Sequence, residues 1–454
     1  MNRCLSLLVL LTVSCIAYAA NVAKFSFGRF GETMIYQPRQ VRHAAMFFSD
    51  ANGWTQRDAA LANALADQGV LVAGIDLKHY AAELSKPRDK CSYIAGEFED
   101  FSHELQKRFS PARYHWPVLI GEGIGASLVY AVAAQGSSGT FIGTLTMGFQ
   151  PRWKPPLKLC QSYELRYSVD KKMITTLKPS VQLSTPWVAL HAGDDKTLST
   201  EALRKFVDEV GTASAVNIKA GDDDQWRSAL INSVAKLAEP DRDEKVLTDE
   251  LRDLPLQEVR AIGNSTSRMA LFLTGDGGWA AIDKGTSAEL AKRGIDVVAL
   301  NSLQYFWKPR SPDESAKDVA RILRHYLAAW KKRDVLIVGY SFGADIAAFV
   351  VNRLPYDLRG RVAGVNLLGL ATTADFEVHV TTWLGADHHG LPTKPEVERL
   401  QMPVLCVYGE GEKDSQCPSL SSGHVRSVKI GDGHHFGDRY QVLAEQIVGF
   451  ATAP

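Results

Sequence analysis

The chain has 454 residues, 45% of them hydrophobic, and its 51 Lys and Arg are balanced by 51 Asp and Glu. That length suits two or three domains at roughly 100–200 residues each. Zero net charge supplies no basic field for nucleic acid, so no nucleic-acid partner is expected.

Met1-Asn2-Arg3 places one positive charge before an apolar run through Leu5, Leu7, Leu8, Val9, Leu10, Leu11 and Val13. Ala17-Tyr18-Ala19 follows with small residues two apart. This pattern predicts an export signal over residues 1–19. The apolar run is shorter than the ~20 residues of a spanning helix, so a membrane anchor is not expected. Cys4 and Cys15 fall in the signal, leaving Cys91, Cys160, Cys406 and Cys417. Two per half in an oxidising compartment suggests disulfides Cys91–Cys160 and Cys406–Cys417.

The two halves resemble each other. Met46-Phe47-Phe48-Ser49-Asp50-Ala51-Asn52-Gly53-Trp54 matches Leu271-Phe272-Leu273-Thr274-Gly275-Asp276-Gly277-Gly278-Trp279. Val118 to Gly125 parallels Leu336 to Gly343, Pro186 to Gly193 parallels Pro403 to Gly409, and Ile218 to Asp222 parallels Val428 to Asp432. Apolar strands without clean alternation, separated by helix-like stretches, predict parallel sheets covered on both faces. The expected fold is therefore α/β, as two tandem α/β-hydrolase-like domains. The first spans residues 20–238, a charged, Pro-containing linker spans 239–258, and the second spans 259–454.

Gly339-Tyr340-Ser341-Phe342-Gly343 in the second half lies between an apolar strand (Val335 to Val338) and a helix-forming run (Ala344 to Val351). That context is a nucleophile elbow, which puts a serine on a sharp strand-to-helix turn. The hydroxyl needs a base, usually a His held by a carboxylate, and this fold orders them Ser, acid, His. Glu410, Glu412 and Asp414 follow one late strand, and Gly433-His434-His435 follows the next. Asp414 is the first choice of acid and Glu412 the second; His434 is the first choice of base and His435 the second. The backbone N–H of Phe342, with that of Asp276 or Gly277 in the glycine-rich turn, is expected to form the oxyanion hole.

Gly123 stands where the second half has Ser341, and Asp224 near the place of His434. The first half is therefore expected to be catalytically silent. His388-His389 suggests a metal, but adjacent residues of an extended chain point to opposite sides, so neither a metal nor a cofactor is expected.

The second half resembles the bacterial virulence protein VirJ, and the whole two-copy chain its longer relative AcvB. The residues that carry this are Thr274 to Trp279, Tyr305-Phe306-Trp307, Gly339 to Asp345, Tyr408-Gly409, Asp414 to Cys417 and Gly433 to Phe436. The resemblance implies a periplasmic hydrolase of aminoacyl-phosphatidylglycerol, the lysyl or alanyl ester of a membrane phospholipid, with a link to type IV secretion and so to an exported-protein partner. On that reading, Asp345 and Asp276 select the cationic amino group, Tyr340 borders the substrate, and Trp307, Lys308 and Arg310 meet the lipid phosphate. A general periplasmic esterase, lipase or thioesterase would use the same triad. A non-enzymatic secretion factor would use both domains as scaffolds.

Overall fold

The computed structural model describes residues 21–86, 91–162, 164–181, 183–239, 250–379 and 390–451. The expected signal segment, half of the expected linker (residues 240–249) and His388-His389 lie outside the described residues.

Two sheets organise the chain. The first comprises β1 (Asn21–Phe27), β2 (Gly31–Gln37), β3 (His43–Phe48), β4 (Val70–Ile75), β5 (Pro117–Glu122) and β6 (Gly143–Met147). After a small side sheet of β7 (Arg152–Trp153), β8 (Tyr167–Val169) and β9 (Thr175–Leu177), β10 (Trp187–Ala192) and β11 (Ala213–Ile218) complete it. Its spatial order is β1-β2-β4-β3-β5-β6-β10-β11, parallel from β4 onward.

The second sheet contains β12 (Leu256–Val259), β13 (Arg268–Leu273), β14 (Asp296–Leu300), β15 (Asp334–Tyr340) and β16 (Val362–Leu368). A two-strand ribbon of β17 (Thr373–Ala374) and β18 (Leu391–Pro392) precedes its last strands, β19 (Val404–Glu410) and β20 (Val425–Asp432). The order β12-β14-β13-β15-β16-β19-β20 repeats the first sheet without a counterpart of β1.

Strand side chains alternate between faces, and each sheet accordingly has one apolar cluster per face. Met46 and Phe48 of β3 enter one cluster, Ala45 and Phe47 the other. Met269, Leu271 and Leu273 of β13 are likewise separated from Ala270 and Phe272. This double burial explains the unbroken apolar runs in the sequence.

The second domain begins earlier than expected. Residues 256–258, assigned to the linker, are part of β12, which pairs antiparallel with β14. Leu251, Leu254 and Leu256 are buried in the second core. Both expected disulfides are formed, Cys91–Cys160 and Cys406–Cys417. Among the described residues no helix is long and apolar enough to cross a membrane.

Candidate active site

The elbow follows from close packing at the end of β15. A Cβ on Gly339 would lie 2.4 Å from Gly343 O, and one on Gly343 would lie 2.1 Å from Leu273 O. Both positions therefore require glycine for the helix to sit this close to the sheet. Between them Ser341 is held at φ 51°, ψ −122°, a left-handed conformation costly for a non-glycine residue. Its N–H donates to Leu368 O at 2.8 Å, and its carbonyl accepts from Ala344 and Asp345 at 2.8 and 3.1 Å. These bonds anchor the backbone, while among the described residues the Ser341 hydroxyl is engaged by no side chain.

Phe342 begins the helix Phe342–Asn352, so its N–H has no partner within the helix. Facing it is the turn closed by Gly278 N–H donating to Gly275 O at 3.0 Å. That closure leaves the N–H groups of Asp276 and Gly277 outside the turn's own hydrogen bond. The turn approaches the serine closely, since a Cβ on Gly275 would lie 3.6 Å from the Ser341 Cβ. Asp283 braces the turn from behind, accepting from Ala280 N–H at 3.0 Å. Burial pushes its carboxyl up to about 7.

The acid and base loops leave β19 and β20. His434 Nδ1 is 2.6 Å from Glu412 Oε1, and Glu412 Oε2 accepts Gly409 N–H at 2.9 Å. Burial opposes the charge on Glu412. The His434 hydrogen bond, the Gly409 N–H and the His434 charge outweigh it and hold its pKa below the ordinary carboxylate value. His434 also borders the loop after β16, where a Cβ on Gly369 would meet its ring at 2.7 Å. His435 is occupied differently, its Nδ1 lying 3.0 Å from the Tyr340 hydroxyl.

The expected acid is thus displaced by two residues. Among the described residues Asp414 bonds neither histidine, and Glu412 takes the place proposed for it. The register of β19 against β20 shifts between Tyr408 and Glu410. Glu412 lies two residues beyond that irregularity, where Gly409 N–H and His434 hold its carboxylate.

Residues 267–452 match the family model of the bacterial virulence protein VirJ. The second domain is therefore similar to VirJ. No curated protein matches the chain in sequence. Among solved structures, the chain is similar to a putative dienelactone hydrolase from Klebsiella pneumoniae, at 12% identity and TM-score 0.36, over 49% of this chain and 100% of that one. It is also similar to an esterase domain from Rhodothermus marinus, at 14% identity and TM-score 0.31, over 48% and 98%. An α/β serine hydrolase without a lid from Xanthomonas campestris matches at 12% identity and TM-score 0.32, over 49% and 97%.

Four side chains expected to meet substrate in the VirJ-like domain make contacts within the protein. Tyr340 is buried and its hydroxyl bonds His435. Asp345 accepts Ala371 N–H at 2.7 Å, fixing the loop after β16. Burial pushes its pKa well up, and the nearby Asp276 and Glu412 charges add to the shift. Arg310 donates to Tyr305 O at 3.0 Å and stacks 4.1 Å from the Tyr305 ring centre. Trp307 is buried between the domains. Its indole N–H donates to Ser110 O at 3.3 Å, and its ring lies 5.0 Å from that of Tyr114. Trp307 is therefore enclosed by protein, while the Arg310 side chain remains partly exposed. The sequence reading missed this interdomain role of Trp307, and the aromatic cluster Tyr114-His115-Trp116 was its available signal.

The first domain keeps the elbow but fills it. Gly123 has φ 54°, ψ −116°, close to the Ser341 geometry. A Cβ there would lie 2.3 Å from Asp50 Oδ1. The same oxygen accepts Ile124 N–H at 2.8 Å, the counterpart of the Phe342 N–H. Asp50 stands where the VirJ-like domain has Gly275, so a carboxylate occupies both the nucleophile's space and one oxyanion donor. Strand register places Asp222, rather than Asp224, at the His434 position: β10 starts opposite Ala213 as β19 starts opposite Val425. Asp222 caps the helix Asp223–Ala238 by accepting Gln225 N–H.

Proposed function

We propose that the protein is an exported serine hydrolase that cleaves the aminoacyl ester of aminoacyl-phosphatidylglycerol, with lysyl or alanyl groups, through Ser341, His434 and Glu412. The observation that carries this reading is the 2.6 Å His434–Glu412 pair set beside a strained serine elbow. Glu412 fixes the Nδ1 tautomer of His434, leaving Nε2 to take the serine proton. Ser341 attacks the aminoacyl carbonyl, and the N–H of Phe342 with that of Asp276 or Gly277 receives the developing oxyanion. Phosphatidylglycerol leaves with a proton from His434. Water, deprotonated by the same ring, then releases the amino acid. The two formed disulfides support an oxidising compartment such as the periplasm.

Incubating the purified protein and its Ser341→Ala variant with lysyl- and alanyl-phosphatidylglycerol tests this. Release of the amino acid by wild type alone is expected. No release by a folded wild-type protein that a fluorophosphonate still labels at Ser341 contradicts the lipid substrate.

A further inference from the structure

The helix Ala95–Phe109 of the first domain runs against the VirJ-like domain. Glu99, His103 and Lys107 recur every fourth position and so share one face. Lys107 Nζ donates to Trp307 O at 2.7 Å and to Glu377 Oε1 at 2.9 Å. The His103 ring lies 6.0 Å from that of Trp307. This face is therefore the one turned to the second domain, and Glu99 continues it one turn toward the helix start.

A second contact brings the first domain onto the oxyanion turn itself. A Cβ on Gly139 would lie 2.9 Å from Trp279 O, and Lys284 Nζ donates to Ser138 at 2.9 Å. The turn that ends at Trp279 begins at Thr274 and carries Asp276.

Among the described residues neither the Glu99 nor the Asp276 carboxylate has a hydrogen-bond or ion-pair partner. Burial, then the Asp276 charge, then that of Asp100, pushes the Glu99 carboxyl up to about 7. Two neighbouring carboxylates without a cation repel each other, and an ammonium group placed between them would satisfy both.

We propose that Glu99 of the first domain joins Asp276 to bind the cationic amino group of the aminoacyl substrate, making the silent domain a specificity element of the catalytic one. This rests on the aminoacyl-ester reading above, and it needs no lipid to be tested. Alanine p-nitrophenyl ester and propionic acid p-nitrophenyl ester differ only by the ammonium group. The ratio of their kcat/KM values reports recognition of that group and cancels a general loss of folding or catalysis.

The ratio is expected to favour the alanine ester in wild type, to fall about tenfold in Glu99→Gln, as for a lost charged hydrogen bond, and to be partly kept in Glu99→Asp. An unchanged ratio in Glu99→Gln overturns the proposal. A wild type that hydrolyses the propionic ester without preferring the cation overturns this inference and leaves the hydrolase standing. A wild type that hydrolyses neither overturns both.

Discussion

Gly123 and Ser341 stand at the same point of two matching sheets, with backbone angles within a few degrees, and only one carries a hydroxyl. The glycines around them are constrained alike: a Cβ on Gly121 would lie 2.3 Å from Gly125 O, and one on Gly339 2.4 Å from Gly343 O. The elbow is thus a packing solution that survives without chemistry. What separates the halves is the turn residue opposite. Gly275 leaves room above Ser341, whereas Asp50 fills the corresponding room and takes the Ile124 N–H.

The acid position also persists. Asp195 occupies the first-domain counterpart of Glu412, but it accepts Thr197 N–H at 2.7 Å and lies 3.8 Å from the buried His191 on its own strand. With Asp222 in place of His434, no imidazole reaches it from the next strand. The first domain therefore keeps the elbow and an acid, and lacks both the serine and the histidine.

The sharpest break of the comparison is Ser341→Ala, expected to lower kcat by roughly 10⁴–10⁶, as for nucleophile loss in other serine hydrolases. Steady-state hydrolysis of an activated ester measures it. Glu412→Gln should follow at about 10⁴, whereas Asp414→Asn, on an exposed loop position, and Asp195→Asn, in the first domain, should leave kcat within about twofold. A large loss in Asp414→Asn would restore the sequence-based choice.

Glu412 also predicts a pH dependence of stability. Its folded-state pKa is depressed below the ordinary 4.5. Its contribution is therefore complete above pH 4.5 and is lost as the pH falls through the lower folded-state value. The Tm difference between wild type and Glu412→Gln should be largest above that pH and shrink below it. A constant difference down to acid pH would contradict the His434 pairing.

The disulfides give a smaller contrast. Cys91–Cys160 spans 69 residues and Cys406–Cys417 spans 11. Chain entropy assigns them about 4 and about 3 kcal/mol respectively. Paired Cys→Ala variants in denaturant should rank in that order. Only the second loop carries Glu412, so only the Cys406/Cys417 pair should also lower kcat.

The smallest effect concerns Gly123→Ser, which inserts a Cβ against Asp50. It should destabilise the first domain by about 1–3 kcal/mol and create no second active site. Chemical denaturation together with Ser341→Ala/Gly123→Ser hydrolysis checks both parts, and any recovered turnover would contradict the silent-domain account.

The repeat, the strands and the elbow were legible from short, local patterns, and both disulfides from the presence of two cysteines in each half. Glycines at 339 and 343 are demanded by contacts of the elbow with its own helix and the neighbouring strand, and unbroken apolar runs mark strands buried on both faces. The acid was less legible. Glu412 and Asp414 share one loop, and which of them meets His434 depends on the loop's three-dimensional path. The packing of Trp307 and Arg310 was illegible for another reason. An aromatic and a cation after a strand resemble a phosphate site, yet burial against Tyr114 and stacking on Tyr305 depend on tertiary packing. The role of Glu99 crosses between domains, and no motif in the second half points to it.

Labelling the wild-type protein with a fluorophosphonate and locating the adduct by peptide mass spectrometry tests the central claim most directly. One adduct on Ser341, abolished in Ser341→Ala and strongly slowed in Glu412→Gln, with no adduct in residues 21–238, is the predicted result. An adduct on another serine, or labelling that survives both substitutions, would contradict it.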